Sequence, residues 1–244
     1  MREDLLPDPE LGRAEMLALQ SSIRDAAKFE SDESFAWDSD ETLVAGVDQA
    51  FTDSSIVSCI IVMQGDRIVE QSIARQPIEF PYIPGLLSFR EAGVILAAYK
   101  QLDTIPDVIL VDGNGRIHYR EAGLATHVGV LLDCPTVGVA KRLLCGQLID
   151  PPAEPFPEGT RIPIQADERM EAPDGTLIGY AVQTRQWDHP TRHINPVYTS
   201  PGHRVDAVDA ASFVSETATG YKLPEPIRMA DKGAANATTG QPPD

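Results

Sequence analysis

The stretch Asp107-Val-Ile-Leu-Val-Asp-Gly-Asn-Gly115 decides the fold that we expect for this chain. Its four consecutive apolar residues are typical of a short strand that is covered on both faces of a sheet. Asp112 ends that strand, and the Gly-Asn-Gly sequence predicts a turn directly after it. Ligands of α/β proteins bind at the carboxyl ends of strands. The stretch therefore predicts a central strand of an α/β sheet, with Asp112 at its functional edge.

Working outward, three extended segments precede this strand, at residues 43–51, 55–64 and 67–74, and Gly65-Asp66 is a hairpin signal between the last two. A helix is expected over 88–102, with Ser88 as N-cap and Glu91 as its capping-box partner. A second helix over 121–132 leads to a strand at 136–140. The order βββ-α-β-α-β is typical of a ribonuclease H-like α/β fold, a mixed five-stranded sheet flanked by helices.

The flanking regions complete one predicted domain over residues 1–221. Residues 1–30 show helical spacing of apolar residues, and we expect this helix to pack on the domain. Residues 31–40 form a polar, acidic connection, and 151–163 form a proline-rich excursion. Strand character returns at 177–184 and 197–199, and a last helix is expected over 204–217. The tail 222–244, rich in Pro, Gly, Ala and Thr, is predicted to be disordered.

Composition excludes several classes of protein. With 42% hydrophobic and 23% charged residues, the chain can bury a core. No apolar run approaches the roughly 20 residues of a membrane span, and the acidic N-terminus lacks the pattern of a signal peptide. Cys59, Cys134 and Cys145 form no metal or disulfide pattern. We expect a cytoplasmic monomer that has no membrane partner.

The net charge of −17 argues against a nucleic-acid partner at first sight, because phosphate contacts depend on Lys and Arg. However, residues 80–145 hold six acids and six bases, so the excess acid lies mostly outside that region. The chain also contains five lysines against fifteen arginines. An acidic, lysine-poor surface favours a high-salt cytoplasm, although an ordinary acidic protein is the alternative.

Three acids are candidates for a metal site. Asp48 lies in the apolar run Val44-Ala45-Gly46-Val47, where an ionised carboxylate is costly without a partner. If its strand neighbours that of Asp112, the two carboxylates can face one cation, with Glu91 as a third acid. Carboxylate oxygens select Mg²⁺ or Mn²⁺ over zinc. Taken singly, each Asp could instead form a turn, and Glu91 could serve only its capping box.

Six strings occur in an order that resembles the signature blocks of the endonuclease V family. They span about residues 44–206, and the second is the most specific. They read Val47-Asp-Gln-Ala-Phe51, Pro81-Tyr-Ile-Pro-Gly-Leu-Leu-Ser-Phe-Arg-Glu91, Val111-Asp-Gly-Asn-Gly115, His127-Val-Gly-Val130, Val137-Gly-Val-Ala-Lys141 and Ser200-Pro-Gly-His-Arg204. The resemblance, with the charge pattern, implies an endonuclease V-like protein of a halophilic archaeon.

That resemblance implies a catalytic set and a substrate-binding set. Asp48, Glu91 and Asp112 match the metal-binding acids of the family. Lys141 matches a lysine that lies at the scissile phosphate, and His203 matches a histidine near the metal. His203 could instead be a helix N-terminal histidine without a catalytic role. The implied substrate-binding residues are Pro81, Tyr82, Ile83, Pro84, Gly85, Leu87, Gly113 and His118. Residues 81–84 suit a wedge that enters a base stack, or else a loop that covers the core.

The implied function is DNA repair. The family hydrolyses, with Mg²⁺, the second phosphodiester bond 3′ to a deaminated purine, chiefly hypoxanthine, and leaves a 3′-hydroxyl and a 5′-phosphate. The implied partner is DNA containing deaminated bases, and Mn²⁺ is expected to replace Mg²⁺. Two alternatives remain at this stage: an endonuclease for inosine-containing RNA, and a nucleic-acid-binding module without catalysis.

Overall fold

The computed structural model describes residues 1–8, 10–31, 41–189 and 191–239. The helices among these residues are α1 (Arg13–Ala26), α2 (Leu87–Tyr99), α3 (Leu124–Leu132), α4 (Ala207–Thr217) and α5 (Glu225–Thr239), with a 3₁₀ turn at Glu3–Leu5. The strands are β1 (Leu43–Phe51), β2 (Ser55–Gln64), β3 (Arg67–Pro77), β4 (Val108–Asp112), β5 (Thr136–Ala140), β6 (Gln147–Leu148), β7 (Arg161–Gln165), β8 (Leu177–Val182) and β9 (Val197–His203).

The described strands form one mixed sheet in the order β3-β2-β1-β4-β5-β9-β8-β7-β6. The first five are the predicted ribonuclease H-like core: β1 pairs antiparallel with β2 and β2 with β3, whereas β1, β4 and β5 are parallel. Four further strands extend the sheet to nine, so the predicted number of five was too small. Of these additions, β8 and β9 fall on the predicted strand segments 177–184 and 197–199, whereas β6 and β7 come from short, irregular segments whose strand character is weak in the sequence.

Helices cover both faces of the central strands, as the apolar run of β4 predicted. Ala45, Val47, Ile109 and Val111 pack against α2 and α3. The alternate residues Val44, Val108 and Leu110 pack against α4 and the start of α5. Because successive strand residues point to opposite faces, both sets are buried and β1 and β4 are fixed in the centre of the sheet.

The predicted disordered tail is wrong for residues 225–239, which form α5. This helix packs on β1 and β2, where Ile227, Ala230 and Ala234 are buried. Its small residues suggested disorder, but they permit close contact: a Cβ on Gly46 would lie 2.0 Å from the carbonyl carbon of Pro226. The folded domain therefore extends past residue 221, and residues 240–244 lie outside the described part of the chain.

Other boundaries differ from prediction for local reasons. The N-terminal helix occupies 13–26 rather than 1–30, and the acidic connection at 32–40 lies outside the described residues. Ser88 is not an N-cap, because α2 begins at Leu87 and its N-cap residue makes no side-chain hydrogen bond. The third helix begins at Leu124, after Glu121 adopts a left-handed backbone conformation with φ 53°. No described helix is long and apolar enough to cross a membrane.

Candidate active site

The central parallel strands bring Asp48 and Asp112 together, as their sequence context predicted. Val47 of β1 pairs with Val111 of β4, so the two aspartates follow one register pair at the same edge of the sheet. Asp48 is buried, with 8% of its surface exposed. An ion pair joins Oδ2 of Asp112 to Nζ of Lys141, 2.6 Å away, just after β5. Three neighbouring strand ends thus supply two carboxylates and one ammonium group.

Burial and neighbouring charge make ionisation of Asp48 unfavourable. Burial raises the pKa of Asp48 to about 8, and both the charge of Asp112 and a hydrogen bond with Asp231 act in the same direction. Asp231 lies on α5, in the tail that the sequence predicted to be disordered. It is a site residue that sequence reasoning missed, because nothing in its local sequence indicates that it contacts β1.

Glu91 lies in the second turn of α2 and faces the same site. Only 6% of its surface is exposed. Burial raises the pKa of Glu91 to about 8, with Asp112 adding to the increase and Arg90 opposing it. Since Ser88 does not cap the helix, the alternative capping-box role of Glu91 is not supported. The electrostatic influence of Asp112 on both Asp48 and Glu91 places the three predicted acids in one cluster.

The donor set of this cluster suits a hard divalent cation. Buried carboxylates that repel one another are stabilised in their charged forms by a nearby cation, and carboxylate oxygens are preferred ligands of Mg²⁺ and Mn²⁺. Within the described residues, no three His, Cys, Asp or Glu side chains are already arranged as ligands of one ion. The ammonium group of Lys141 supplies part of the missing positive charge, because it pairs directly with Asp112.

A second lysine lies beside Lys141. Burial lowers the pKa of Lys222, and the positive charge of Lys141 lowers it further. The backbone carbonyl of Lys222 accepts a 2.6 Å hydrogen bond from the hydroxyl of Thr184, which fixes the segment before α5. Lys222 was also missed from sequence, because it lies in the region that was predicted to be disordered.

His203 does not belong to this cluster, and its predicted position near the metal is wrong. In the pairing of β5 with β9, His203 lies opposite Thr136, whereas Lys141 follows Ala140 at the other end of β5. Four residues of strand separate these ends by about 13 Å. The buried ring of His203 contacts Asp133 through Nε2 (3.2 Å) and accepts a hydrogen bond from the amide of Lys28 at Nδ1. His203 therefore joins α1, α3 and β9 structurally.

A pocket that is open to solvent lies between the loop at residues 82–85 and the segment after Asp112. Of the predicted substrate-binding residues, Tyr82, Ile83, Pro84, Gly85, Leu87 and His118 line it, whereas Pro81 and Gly113 do not. Sequence reasoning missed five further lining residues with polar or small side chains: Gln20, Ser88, Asn114, Ala122 and Gly123. Gln20 comes from α1, far away in sequence, so no local pattern could indicate it.

The loop carries one strongly exposed aromatic ring on a packed base. Tyr82 is 65% exposed, while Phe80 and Leu86 on either side are buried against α1 and α2 with Met16 and Phe89. Tyr82 therefore does not cover the core, whereas Ile83 beside it packs against this cluster. Gly85, with φ +79°, uses a backbone conformation that favours glycine and turns the chain into α2.

Comparison with known proteins gives a consistent result. A sequence profile for the family described as Endonuclease V matches residues 24–232. Endonuclease V of Haloarcula marismortui is 53% identical over 97% of this chain and 96% of its own length. The crystal structure of Endonuclease V from Streptomyces avermitilis has a TM-score of 0.81 and 31% identity over 96% of this chain and 97% of that one. Ciona intestinalis Endonuclease V, solved with DNA containing an inosine followed by a ribo-adenosine, has a TM-score of 0.74 and 27% identity, over 93% and 98% of the two chains.

Proposed function

The chain belongs to the endonuclease V family, and we propose that it hydrolyses the second phosphodiester bond 3′ to hypoxanthine in DNA. The products are a 3′-hydroxyl and a 5′-phosphate. One observation carries this proposal: Asn114 lines the pocket, and Asp112, two residues before it, belongs to the carboxylate cluster. A base held in the pocket would thus place a nearby phosphate of its own strand at the cluster.

The pocket and the loop support recognition of an extruded base. An enzyme that reads a base inside a duplex must rotate that base out of the stack. Leu87 and Leu124 give the pocket apolar walls. The ring of Tyr82 is exposed on its proline-flanked tip and would occupy the gap that the base leaves in the duplex.

Asp48, Asp112 and Glu91, joined by Asp231, are the residues that would hold Mg²⁺, with Mn²⁺ as a substitute. Such an ion supplies an activated water and neutralises charge that develops on phosphate oxygens. Lys141 holds positive charge at the same edge, and Lys222 adds to it. Both ammonium groups favour binding of a phosphate at the cluster. His203 takes no part in this scheme, because it lies at the opposite end of β5.

Cleavage of matched, end-labelled strands tests the proposal. We expect Mg²⁺-dependent cutting of a strand with one deoxyinosine, and no cutting when deoxyadenosine replaces it. The Asp112→Asn variant should lose at least 1,000-fold in rate, since it removes one charge of the cluster. An Asp66→Asn variant, on the exposed turn between β2 and β3, is the matched control.

The same assay separates DNA from RNA as the substrate. We expect the deoxyinosine strand to be cut faster than an RNA strand of the same sequence with inosine. Faster cutting of the RNA would assign the site to inosine-containing RNA instead. Failure to cut either strand, with Mg²⁺ or Mn²⁺ at molar KCl, would refute the proposed activity.

A further inference from the structure

Gln20 is a polar residue in a position where the fold calls for an apolar one. It lies on the buried face of α1 between Met16 and Ile23, and 1% of its surface is exposed. A buried amide group is costly unless its hydrogen bonds are made. Gln20 makes one: Nε2 donates to the carbonyl of Gly85 at 2.7 Å, and Oε1 has no partner among the described residues.

The orientation of the Gln20 amide is fixed by its partner. If the group were flipped, two acceptor oxygens would face each other at hydrogen-bond distance, so Nε2 must face Gly85. The unpartnered atom is therefore a hydrogen-bond acceptor. Gln20 also lines the pocket assigned above to the extruded base, together with Gly85, Ser88 and Asn114.

The carbonyl of Gly85 is not available to a ligand, because a second protein donor uses it. Nδ1 of His118 accepts a hydrogen bond from the amide of Arg120, so the proton of the neutral ring lies on Nε2. Nε2 then donates to Gly85 at 3.2 Å. Burial keeps the ring neutral by lowering the pKa of His118 to about 4. Both lone pairs of the carbonyl are thus occupied, so the Gln20 oxygen is the unpartnered acceptor next to Gly85. Oγ of Ser88 and Oδ1 of Asn114 are the other buried, unpartnered side-chain oxygens among the described lining residues.

We propose that Gln20 determines base specificity by accepting, at Oε1, a hydrogen bond from the N1–H group of a 6-oxopurine. The inference rests on the proposed function and adds a residue to it. Deamination of adenine converts N1 from an acceptor into a donor, so hypoxanthine satisfies the buried oxygen and adenine opposes it. A buried acceptor that a ligand leaves unpaired discriminates strongly against that ligand.

Binding to two base analogues tests this role. Single strands with one deoxyinosine or one deoxynebularine, which lacks both the 6-oxo group and the N1 proton, avoid differences in base pairing. Dissociation constants are measured by fluorescence anisotropy in Ca²⁺. For each protein, the preference for deoxyinosine is the dissociation constant of the deoxynebularine strand divided by that of the deoxyinosine strand. We expect Gln20→Met to reduce that preference about tenfold, by weakening the deoxyinosine complex more than the deoxynebularine complex. Because the preference is a ratio, it does not depend on the fraction of protein that is folded.

Gln183 offers a matched control. It is equally buried, its Nε2 donates to backbone carbonyls of Arg185 and Ile194, and its Oε1 is likewise unpartnered, but it does not line this pocket. Gln183→Met should leave the preference unchanged. If Gln20→Met weakens both complexes equally, Gln20 only positions the loop and the inference is refuted. If the unsubstituted protein neither cuts nor prefers deoxyinosine strands over deoxyadenosine strands, the proposed function itself fails.

Discussion

Asp48 and Glu91 are single residues that cost stability and are explained by their site. Each is a carboxylate in a buried position, and the pKa of each is raised to about 8, first by burial. Their apolar sequence context made Asp48 and Asp112 predictable, since an acid inside or at the end of an apolar strand needs a partner. Glu91 was a candidate third acid without an apolar strand around it, and the resemblance to a family supported that choice.

Asp231, Gln20 and His203 show where prediction from sequence ends. Asp231 and Gln20 reach the site from helices at opposite ends of the chain, and neither stands in a distinctive local pattern. The predicted position of His203 was wrong for a different reason. A matching string identifies a residue, but it does not indicate at which end of its strand the residue lies, and the β5–β9 register decides that question.

At the residue scale, Tyr82→Ala should separate duplex from single-stranded substrates. If the ring fills the gap left by an extruded base, its removal should slow cleavage of a deoxyinosine duplex by about tenfold or more, as expected for loss of one to three kcal/mol of base–aromatic stacking. Cleavage of the single strand should change much less, because that strand has no gap to fill. Single-turnover rates on both substrates provide the measurement.

Ile105→Ala is the control for Tyr82, because Ile105 is 75% exposed and precedes β4, at the end away from Asp112. It should leave both rates unchanged. An equal loss on the two substrates in the Tyr82 variant would contradict the wedge role.

His127 supports a prediction about pH. Its ring is fully buried on α3, where Nε2 contacts the carbonyl of Leu5 at 2.8 Å, and burial lowers the pKa of His127 to about 4. The unfolded chain takes up this proton near pH 6.5, so the stability that the neutral ring contributes is present above that pH and is lost as pH falls toward 4. Between pH 7.5 and pH 5, the free energy of unfolding of the His127→Gln variant should therefore fall by about 2 kcal/mol less than that of the unsubstituted protein.

Urea unfolding at the two pH values checks this difference, with His189→Gln as the control because His189 is exposed. Parallel pH profiles for the His127 variant and the unsubstituted protein would show that the ring is not held neutral by the fold.

At the scale of elements, the five core strands and their connecting helices were predictable because their patterns are strong. Continuous apolar runs and a Gly-Asp turn specify β1 to β4 almost residue by residue. Strands β6 and β7 lie in irregular, proline-rich sequence, and α5 is rich in Ala and Gly. Such segments acquire their structure from packing against the sheet, which local propensity does not report.

The contact between α5 and β1 predicts opposite effects of two glycine substitutions. Gly46→Ala should destabilise the protein and reduce cleavage, because the new Cβ would lie 2.0 Å from Pro226 and displace the helix that carries Asp231. Gly93→Ala, in the middle of α2, is the matched control: its Cβ would meet only Gln76 Oε1 at 3.5 Å. It should stabilise the protein by up to about 1 kcal/mol through helix propensity.

Thermal unfolding and cleavage rates of the two variants check the prediction. Equal stability of both variants, or full activity of a folded Gly46→Ala protein, would show that α5 does not need to pack closely on β1 for function.

At the scale of the whole molecule, charge is the dominant feature. A net charge of −17 destabilises a compact chain by self-repulsion, which salt screens over about 10 Å at 0.1 M and less at higher concentration. We expect the unfolding temperature to rise as KCl increases from 0.1 M to 2 M. Cleavage should persist at molar KCl, because the pocket and the wedge provide contacts that screening affects little. Collapse of activity well below molar KCl would contradict this expectation. A titration with sodium chloride at equal ionic strength is the control.

In the proposed complex, one edge of the sheet holds both the scissile phosphate and the extruded base. An anomalous-scattering crystal structure with Mn²⁺ and an uncleaved deoxyinosine strand tests this arrangement most directly. We predict manganese at Asp48 and Asp112, a phosphate beside Lys141, and hypoxanthine in the pocket between Gln20 and Asn114. Manganese bound elsewhere, or a hypoxanthine that remains stacked in the strand outside this pocket, would contradict the account.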